Sequence, residues 1–513
     1  MVPPAHLEGI AAEEIPGEPV FREARPEPCV VVIFGITGDL SKRKLLPALY
    51  NLMADGSLPE NFAVIGVSRS DATTAELREQ LRLSVMELGG QRISDAATWE
   101  KFAGAIEFTR GAAEEPATYH RLKEQLAAVD SAKGTRQNRI FYLATPPEAF
   151  AHVIDNLRRS GLIYRPRTST TEPFSRVILE KPFGHDFASA HALNELVAAS
   201  LDESQAFRID HYLGKETVQN ILVFRYANAI FEPIWNRRYV DFVEITAAET
   251  LGVEQRGAFY DDTGVMRDIV QNHLLQVLAL SAMEAPVSFG ADDVRSEKVQ
   301  VLRSLRRITT AAVPRAVTFG QYDGYRREKG VAPDSRTPTY AAMKVHIDNW
   351  RWQGVPFYLR AGKRLASHIT EIAVHFQSVP LYLFTGADKC QTVAPNVLRI
   401  RIQPNEGISL RFVAKVPGDH LSIGNVNMAM RYANAFGKPL SEAYERLLLD
   451  CMRGDATLFA RRDEVEEAWK FVTPILETWE KGREPPELYA PGGQGPTKAE
   501  TLLEKSGHAL TPL

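Results

Sequence analysis

Cysteine is scarce in this chain. Its three residues, Cys29, Cys390 and Cys451, lie far apart in 513 positions and lack the paired spacing of a metal site. So few thiols exclude a disulfide framework, and an odd number suits free thiols in a reducing cytosol. Long apolar runs are missing too, none reaching the roughly 18 residues that a membrane helix requires. Nor does one sign of charge dominate. A formal net charge of −4 and a pI near 6.4 remove the electrostatic case for nucleic acid or an acidic membrane as partner. No internal repeat or low-complexity segment is present. Residues 1–27 carry Glu and Pro in quantity but have no basic start and no apolar core. They read as a flexible tail, not a signal peptide.

What is there is the composition of a globular protein, 44% apolar and 24% charged, in a chain too long for one ordinary core. Cys29 to Phe34 (CVVVIF) is a continuous β-branched run of the kind buried in parallel sheets. A helix through Leu45, Leu49 and Leu52 follows it. Phe62 to Val67, Ile106 to Thr109, Arg139 to Ala144 and Val177 to Glu180 read as further strands with helical patterns between, one near Thr74 to Leu88. This alternation predicts a doubly wound parallel sheet. Tyr164 to Pro173 reads as a polar surface loop. Beyond residues 205–215 the character changes. Val240 to Glu249, Met343 to Asp348, Glu371 to Phe376, Val397 to Gln403 and Ser409 to Val416 are strand-like. Helices are expected near Val265 to Met283, Ser296 to Leu305, Glu442 to Arg453 and Glu464 to Glu480. Strands without regular crossovers predict a larger α+β domain with a mainly antiparallel sheet. The boundaries expected are a tail over 1–27, an α/β dinucleotide-binding domain of Rossmann type over 28–210 and the α+β domain over 211–513, with a ligand cleft where they join.

Gly35-Ile36-Thr37-Gly38-Asp39-Leu40 leaves the first strand and opens a helix. The pair of glycines fits any tight βα turn, and in this position it also fits a pyrophosphate cradle of backbone N–H groups. The second strand ends Gly66-Val67-Ser68-Arg69, with no acid before Asp71 to take a ribose 2′-hydroxyl. Arg69 is therefore either a surface arginine or a bidentate partner for a 2′-phosphate, the second favouring NADP. Lys181 leaves the fifth strand at the carboxyl edge of the sheet, where ligands of such folds bind.

The densest chemistry lies in Arg208-Ile209-Asp210-His211-Tyr212-Leu213-Gly214-Lys215-Glu216, just before a helix expected over Thr217 to Tyr226. A basic cluster at a helix start suits a phosphate, and His211, Tyr212 and Lys215 can all donate to one. Asp210 only accepts and would repel that phosphate, so it should face elsewhere, such as toward a histidine. A solvated helix cap fits the same spacing. His273 shares a helical face with Ile269, Val270 and Val277 and points inward. Position alone suits a satisfied core histidine more often than a base.

These strings resemble the glucose-6-phosphate dehydrogenase family. The nonapeptide is similar to its active-site signature. Gly35–Leu40 followed by Ser41 to Pro47 looks like its cofactor loop, Asn138 to Pro147 like its fourth strand, and Glu180-Lys181-Pro182-Phe183-Gly184 like its E-K-P-F-G. Gly264 to Gln276 resembles its I-R-D-x-x-Q-N-H-L-L-Q segment. The resemblance implies NADP-dependent oxidation of glucose 6-phosphate with His273 as general base and Asp210 orienting it. It implies substrate contacts from Lys181, His211, Tyr212, Lys215, Glu249, Asp268, Lys363, His368 and Gln403. Cofactor contacts are implied for Gly35, Thr37, Gly38, Asp39, Leu40, Arg69, Tyr142 and Lys181, with no metal, and a cytoplasmic homodimer or homotetramer joined through the second domain. Two departures stand out. His368 replaces a lysine or arginine, which implies a weaker or more pH-dependent hold on phosphate. Gln494 replaces the tryptophan on which some animal members stack a second NADP, so that site is not expected here. Rival readings are a dehydrogenase of another hexose phosphate and a silent NADP-binding protein.

Overall fold

The computed structural model describes residues 25–88, 96–381, 383, 394–437, 441–482, 484–504 and 506–513. Cys390 and all but the last three residues of the expected tail lie outside that set. β1 (Cys29–Phe34), β2 (Phe62–Ser68), β3 (Ile106–Arg110), β4 (Arg139–Leu143), β5 (Ser175–Leu179) and β6 (Ala206–Ile209) form a parallel sheet in the order β6-β5-β4-β1-β2-β3. Every residue of β1 is fully buried, because helices cover both faces. Cys29, Val31 and Ile33 enter one core while Val30, Val32 and Phe34 enter the other. Each such valine or isoleucine contributes about 1.5–3 kcal/mol by burial.

The second sheet holds β7 (Val240–Ala248), β8 (Val317–Tyr322), β9 (Tyr340–His346), β10 (Pro356–Gly362), β11 (Ile369–Phe376), β12 (Val397–Gln403), β13 (Gly407–Val416) and β14 (Ser422–Arg431). Two short strands complete the pair of sheets. β15 (Phe459–Ala460) returns to the first sheet and lies antiparallel on β6, whereas β16 (Glu487–Tyr489) lies parallel to β8. The second sheet runs β14-β13-β12-β11-β7-β10-β9-β8-β16 and is antiparallel apart from β7/β10 and β8/β16.

Strands that the sequence hides have identifiable disguises. β6 carries Arg208 at its centre, whose buried guanidinium is held by Glu203 at 2.6 Å. β10 opens on Pro356 and encloses Arg360, buried because its Nη2 donates to the Thr511 carbonyl at 2.9 Å. β14 alternates Asn425 and Asn427 along an exposed edge.

The last long helix, Arg462–Lys481, packs back on the first domain. Its Trp469 indole donates to the Phe183 carbonyl at 2.8 Å, and Asn194 on the helix Phe187–Ala198 donates to the Arg462 carbonyl at 3.3 Å. The segment expected as one helix from Val265 to Met283 is instead divided. A helix over Gly257–Val265 kinks at Gly264, a π-helix runs Met266–Leu274, and an α-helix continues over Leu275–Ala282.

Candidate active site

The π-helix decides the geometry of the site. In an α-helix, residues five apart stand about 140° apart. The i→i+5 bonding of a π-helix stacks them, so Asp268 and His273 face one pocket and no pocket needs to wrap the helix. Lys181 records this directly. Its Nζ lies 2.9 Å from His273 Nε2, 2.9 Å from the Asp268 carbonyl and 3.3 Å from Asp268 Oδ1.

Beneath, His273 Nδ1 lies 2.5 Å from Asp210 Oδ1, which also accepts the Tyr212 N–H at 2.9 Å. Both partners are buried, His273 at 1% exposure and Asp210 at 3%. Burial alone would raise the Asp210 carboxyl, but the His273 imidazole, then His211 and Lys181, hold it far below the usual carboxylate range. For His273, burial wins in the other direction. Together with Lys181 it outweighs Asp210 and pushes the imidazole below 6.5. The pair is therefore a neutral imidazole donating Nδ1–H to a carboxylate, with Nε2 left as an acceptor. The Tyr212 ring stacks on His273 at 4.2 Å and 14°, and the His211 ring stands edge-on at 4.5 Å. Burial drives His211 well below its ordinary value and Tyr212 up to about 12.

Two further cations ring the pocket. Lys363 Nζ bonds Glu249 Oε2 at 2.6 Å and, with Lys181, keeps Asp268 ionised although burial would raise it. Lys215 begins the helix Glu216–Tyr226 and donates to Gln403 at the end of β12. Burial lowers its pKa. A cavity of about 430 Å³ opens here, lined by Lys44, His211, Lys215, Gln403, Glu442 and Tyr444. Lys44 and Tyr444 went unassigned in the sequence. Lys44 sits in the Ser41 to Pro47 run, a usable signal, whereas Tyr444 arrives on a distant helix with none. The Tyr212 hydroxyl is turned to Thr370 at 3.4 Å, so its ring rather than its O–H faces the cluster. His368 is exposed at the start of β11 and has no hydrogen bond to any described residue.

The cofactor edge lies at the carboxyl ends of β1 and β2. Gly35 has φ +86°, and a Cβ there would stand 2.5 Å from the Ala144 carbonyl oxygen, so only glycine fits the turn. The Gly38 N–H closes that turn on the Gly35 carbonyl at 2.9 Å, Thr37 bonds Ser68 at 3.2 Å, and Asp39 holds Arg43 at 2.5 Å just before Leu40 enters the helix. Arg69 is exposed, has no ion-pair partner among the described residues, and lines a cavity of about 660 Å³ with Arg110 and Arg121. Asp71 is already paired with Arg110. This donor set fits NADP: a glycine cradle for pyrophosphate, a guanidinium without an ion-pair partner for the 2′-phosphate, and at the end of β2 an acid, Asp71, that is already paired. Tyr142 is a correction. It is fully buried, and its hydroxyl donates to Glu180, so it supports the end of β5 and has no surface to offer a cofactor. Gln494, at the position of the animal tryptophan, accepts the Leu513 N–H at 2.7 Å.

Donor atoms of Asp210, His211 and His273 lie within 4.8 Å of one another, close enough for a metal by distance. The Lys181 ammonium at 2.9 Å opposes a dication there.

A dinucleotide-binding sheet, a buried neutral histidine on a carboxylate and three lysines about the cluster of Asp268, His273 and His211 define an oxidoreductase for a hydroxylated, anionic substrate. Comparison with known proteins places it further. Residues 32–220 match the model "Glucose-6-phosphate dehydrogenase, NAD binding domain", and residues 222–511 match "Glucose-6-phosphate dehydrogenase, C-terminal domain". The chain is 44% identical over 499 residues to glucose-6-phosphate 1-dehydrogenase of Chlamydia pneumoniae, covering 95% of this chain and 96% of the relative. It is 45% identical over 493 residues to that of Aggregatibacter actinomycetemcomitans, covering 94% and 97%. A solved glucose-6-phosphate dehydrogenase in complex with its substrate glucose 6-phosphate superposes with a TM-score of 0.86 at 36% identity, over 96% of this chain and all of that one. The Mycobacterium avium structure gives 0.80 at 36% identity, over 95% and 99%. The chain belongs to the glucose-6-phosphate dehydrogenase family.

Proposed function

We propose that this chain oxidises D-glucose 6-phosphate at C1 with NADP as acceptor, giving 6-phospho-D-glucono-1,5-lactone and NADPH. The observation that carries the mechanism is the 2.5 Å contact of His273 with Asp210, which fixes Nδ1 as the donor and turns Nε2, now accepting from Lys181 at 2.9 Å, into the acceptor that can receive a proton. Bound NADP supplies a nicotinamide that takes up a hydride. Everything else is the work of the chain. His211 and Lys215 hold the sugar phosphate in the cavity that Lys44 and Tyr444 also line, with Gln403 fixing Lys215 and His368 as an outer contact. Glu249, Asp268 and Lys363 take the ring hydroxyls, and Tyr212 sets the plane of the imidazole. The C1 hydroxyl approaches Nε2, where Lys181 now donates, and its proton passes to His273. Asp210 stabilises the imidazolium that forms. Lys181 remains on Asp268 and stays close to the oxygen losing its proton. Gly35, Thr37, Gly38, Asp39 and Leu40 cradle the pyrophosphate, and Arg69 takes the 2′-phosphate.

The test follows NADPH absorbance with glucose 6-phosphate and NADP, for the native chain and His273→Asn. Native turnover with a loss of about 10²–10⁴ in the variant is expected. Equal rates in the two proteins would refute the role of His273. Absence of turnover in the native chain, with NADP still bound, would refute the activity itself.

We infer a homodimer or homotetramer, supported by the exposed edge strand β14 and by Leu421, Met428 and Phe436 exposed beside it. A monomeric mass by light scattering at micromolar concentration would overturn this. A cytoplasmic location fits the buried free thiols of Cys29 and Cys451, and no described helix is long and apolar enough to cross a membrane. Recovery of the chain with a membrane or secreted fraction would contradict it.

A further inference from the structure

Lys181 is the one cation among the described residues that hydrogen-bonds both His273 and Asp268, so the position of its loop governs the base. That loop, between β5 and the helix Phe187–Ala198, is fixed from two sides. On the outside, Trp469 donates to the Phe183 carbonyl at 2.8 Å and Thr473 Oγ1 accepts the Phe187 N–H at 2.9 Å, both from the helix Arg462–Lys481. On the inside, the π-helix reaches the 182–186 stretch through the side chain of Arg267, the residue before Asp268. Its Nε donates to the His185 carbonyl at 2.9 Å, and its Nη2 donates to Glu480 Oε1 at 2.7 Å on the same terminal helix. The π-helix and the loop are thus tied twice. One tie is the reactive contact at Lys181, and the other is a structural contact four residues further along the loop.

We propose that Arg267 is a positioning residue. It clamps the Lys181 loop to the π-helix and so keeps the Lys181 ammonium against His273 Nε2. The inference rests on His273 acting as the base.

The consequence has a definite sign. The groups facing His273 are Asp210, His211 and Tyr212 from the segment after β6, Lys181 from the loop and Asp268 from its own helix. His211 is neutral and Tyr212 protonated at neutral pH. Asp210 and Asp268 favour the imidazolium, and Lys181, after burial, opposes it. If the clamp is cut, the loop keeps its anchors to Trp469 and Thr473, but its link to the π-helix is reduced to the Lys181 contact itself. Lys181 then spends less time on Nε2, the two carboxylates meet less opposition, and His273 holds a proton more tightly. A residue that merely stabilised the fold would lower the melting temperature and scale the whole rate profile down without moving it.

The experiment records kcat/KM for glucose 6-phosphate against pH for the full-length native chain, Arg267→Met, Arg267→Lys and Glu480→Gln, with melting temperatures alongside. Arg267→Met is expected to move the acid limb up by about 0.5–1 pH unit, since a charge within a few ångströms of a titrating group shifts it on that scale. Arg267→Lys, which keeps one donor and the charge, should recover part of the shift. Glu480→Gln, which loosens only the outer end of Arg267, should give a smaller shift in the same direction. A limb that stays in place or moves down in Arg267→Met overturns the proposal, whatever happens to the maximal rate. Should Arg267→Met fail to fold, an unmoved limb in Glu480→Gln overturns it. His273→Asn, run in parallel, separates the two claims: loss of the acid limb there tests the base, and displacement of the limb in the other variants tests the clamp.

Discussion

His273 shows how burial, charge and hydrogen bonding combine at one residue. Burial keeps the imbalance toward the neutral ring, and Asp210 supplies orientation and a counter-charge for the moment when the ring is protonated. Little of this was legible from position in the sequence. An inward histidine on an apolar helix looks the same whether it is inert or reactive, and only the resemblance of the surrounding string separated the two. Arg69 was legible from a simpler signal, the missing acid at the end of β2. Its exposure beside Arg110 and Arg121 leads to a prediction about cofactor choice. Arg69→Ala removes a charge-assisted bidentate contact worth about 1.5–3 kcal/mol. KM for NADP should rise roughly 10–100-fold while that for NAD changes little. An equal rise for both cofactors would mean that Arg69 does not read the 2′-phosphate. Tyr142 and Tyr444 part from the sequence reading in different ways. Tyr142, expected at the cofactor from its motif, has its side chain in the core, and Tyr444, outside every motif and unassigned, comes to the pocket through tertiary packing.

Among the elements, five of the six parallel strands of the first half were readable to within one or two residues, because most parallel strands buried on both faces are continuous apolar runs, and β6 with its central arginine was missed. β1 and β12 have the expected limits. The second half was harder, since β8, β10 and β14 interrupt their apolar pattern with glycine, arginine or asparagine, and Arg360 of β10 finds its partners, Thr246 and Thr511, far away in sequence. The π-helix was invisible, its composition being that of any amphipathic helix. Gly264 introduces it with φ 63° and ψ 171°, a conformation essentially confined to glycine. A Cβ at this position would also press on Thr337 Cγ2 at 3.1 Å. Gly264→Ala should therefore cost about 1–3 kcal/mol of stability, read as a lower melting temperature. It should reduce kcat as well, because the turn leads straight into Met266–Leu274. A variant with native melting and native kcat would show that the kink is not needed to set the π register.

For the whole molecule, the buried ionisable groups predict two stages of acid destabilisation. His273 and His211 have folded pKa values below their ordinary 6.5, so the unfolded chain binds those protons first, and stability falls as pH drops below about 6.5. Asp210, Asp268 and Glu244 are also depressed, but as carboxylates they contribute stability above their ordinary values of 3.8 and 4.5. That share is lost only as pH falls below those values. Melting temperatures should decline gently from pH 7 to pH 5 and steeply below pH 4.5. A flat profile from pH 7 to pH 4 would contradict both stages.

The return of β15 to the first sheet also has a meaning during synthesis. β6 acquires its outer neighbour only when Phe459 and Ala460 emerge, about 250 residues after Ile209, and Trp469 reaches the Lys181 loop later still. At about 5–20 residues per second, the nascent first domain waits roughly 10–50 s with an open strand edge. A ribosome that stops early thus releases a sheet ready to pair with a stranger, and none of its truncated products holds a finished active site.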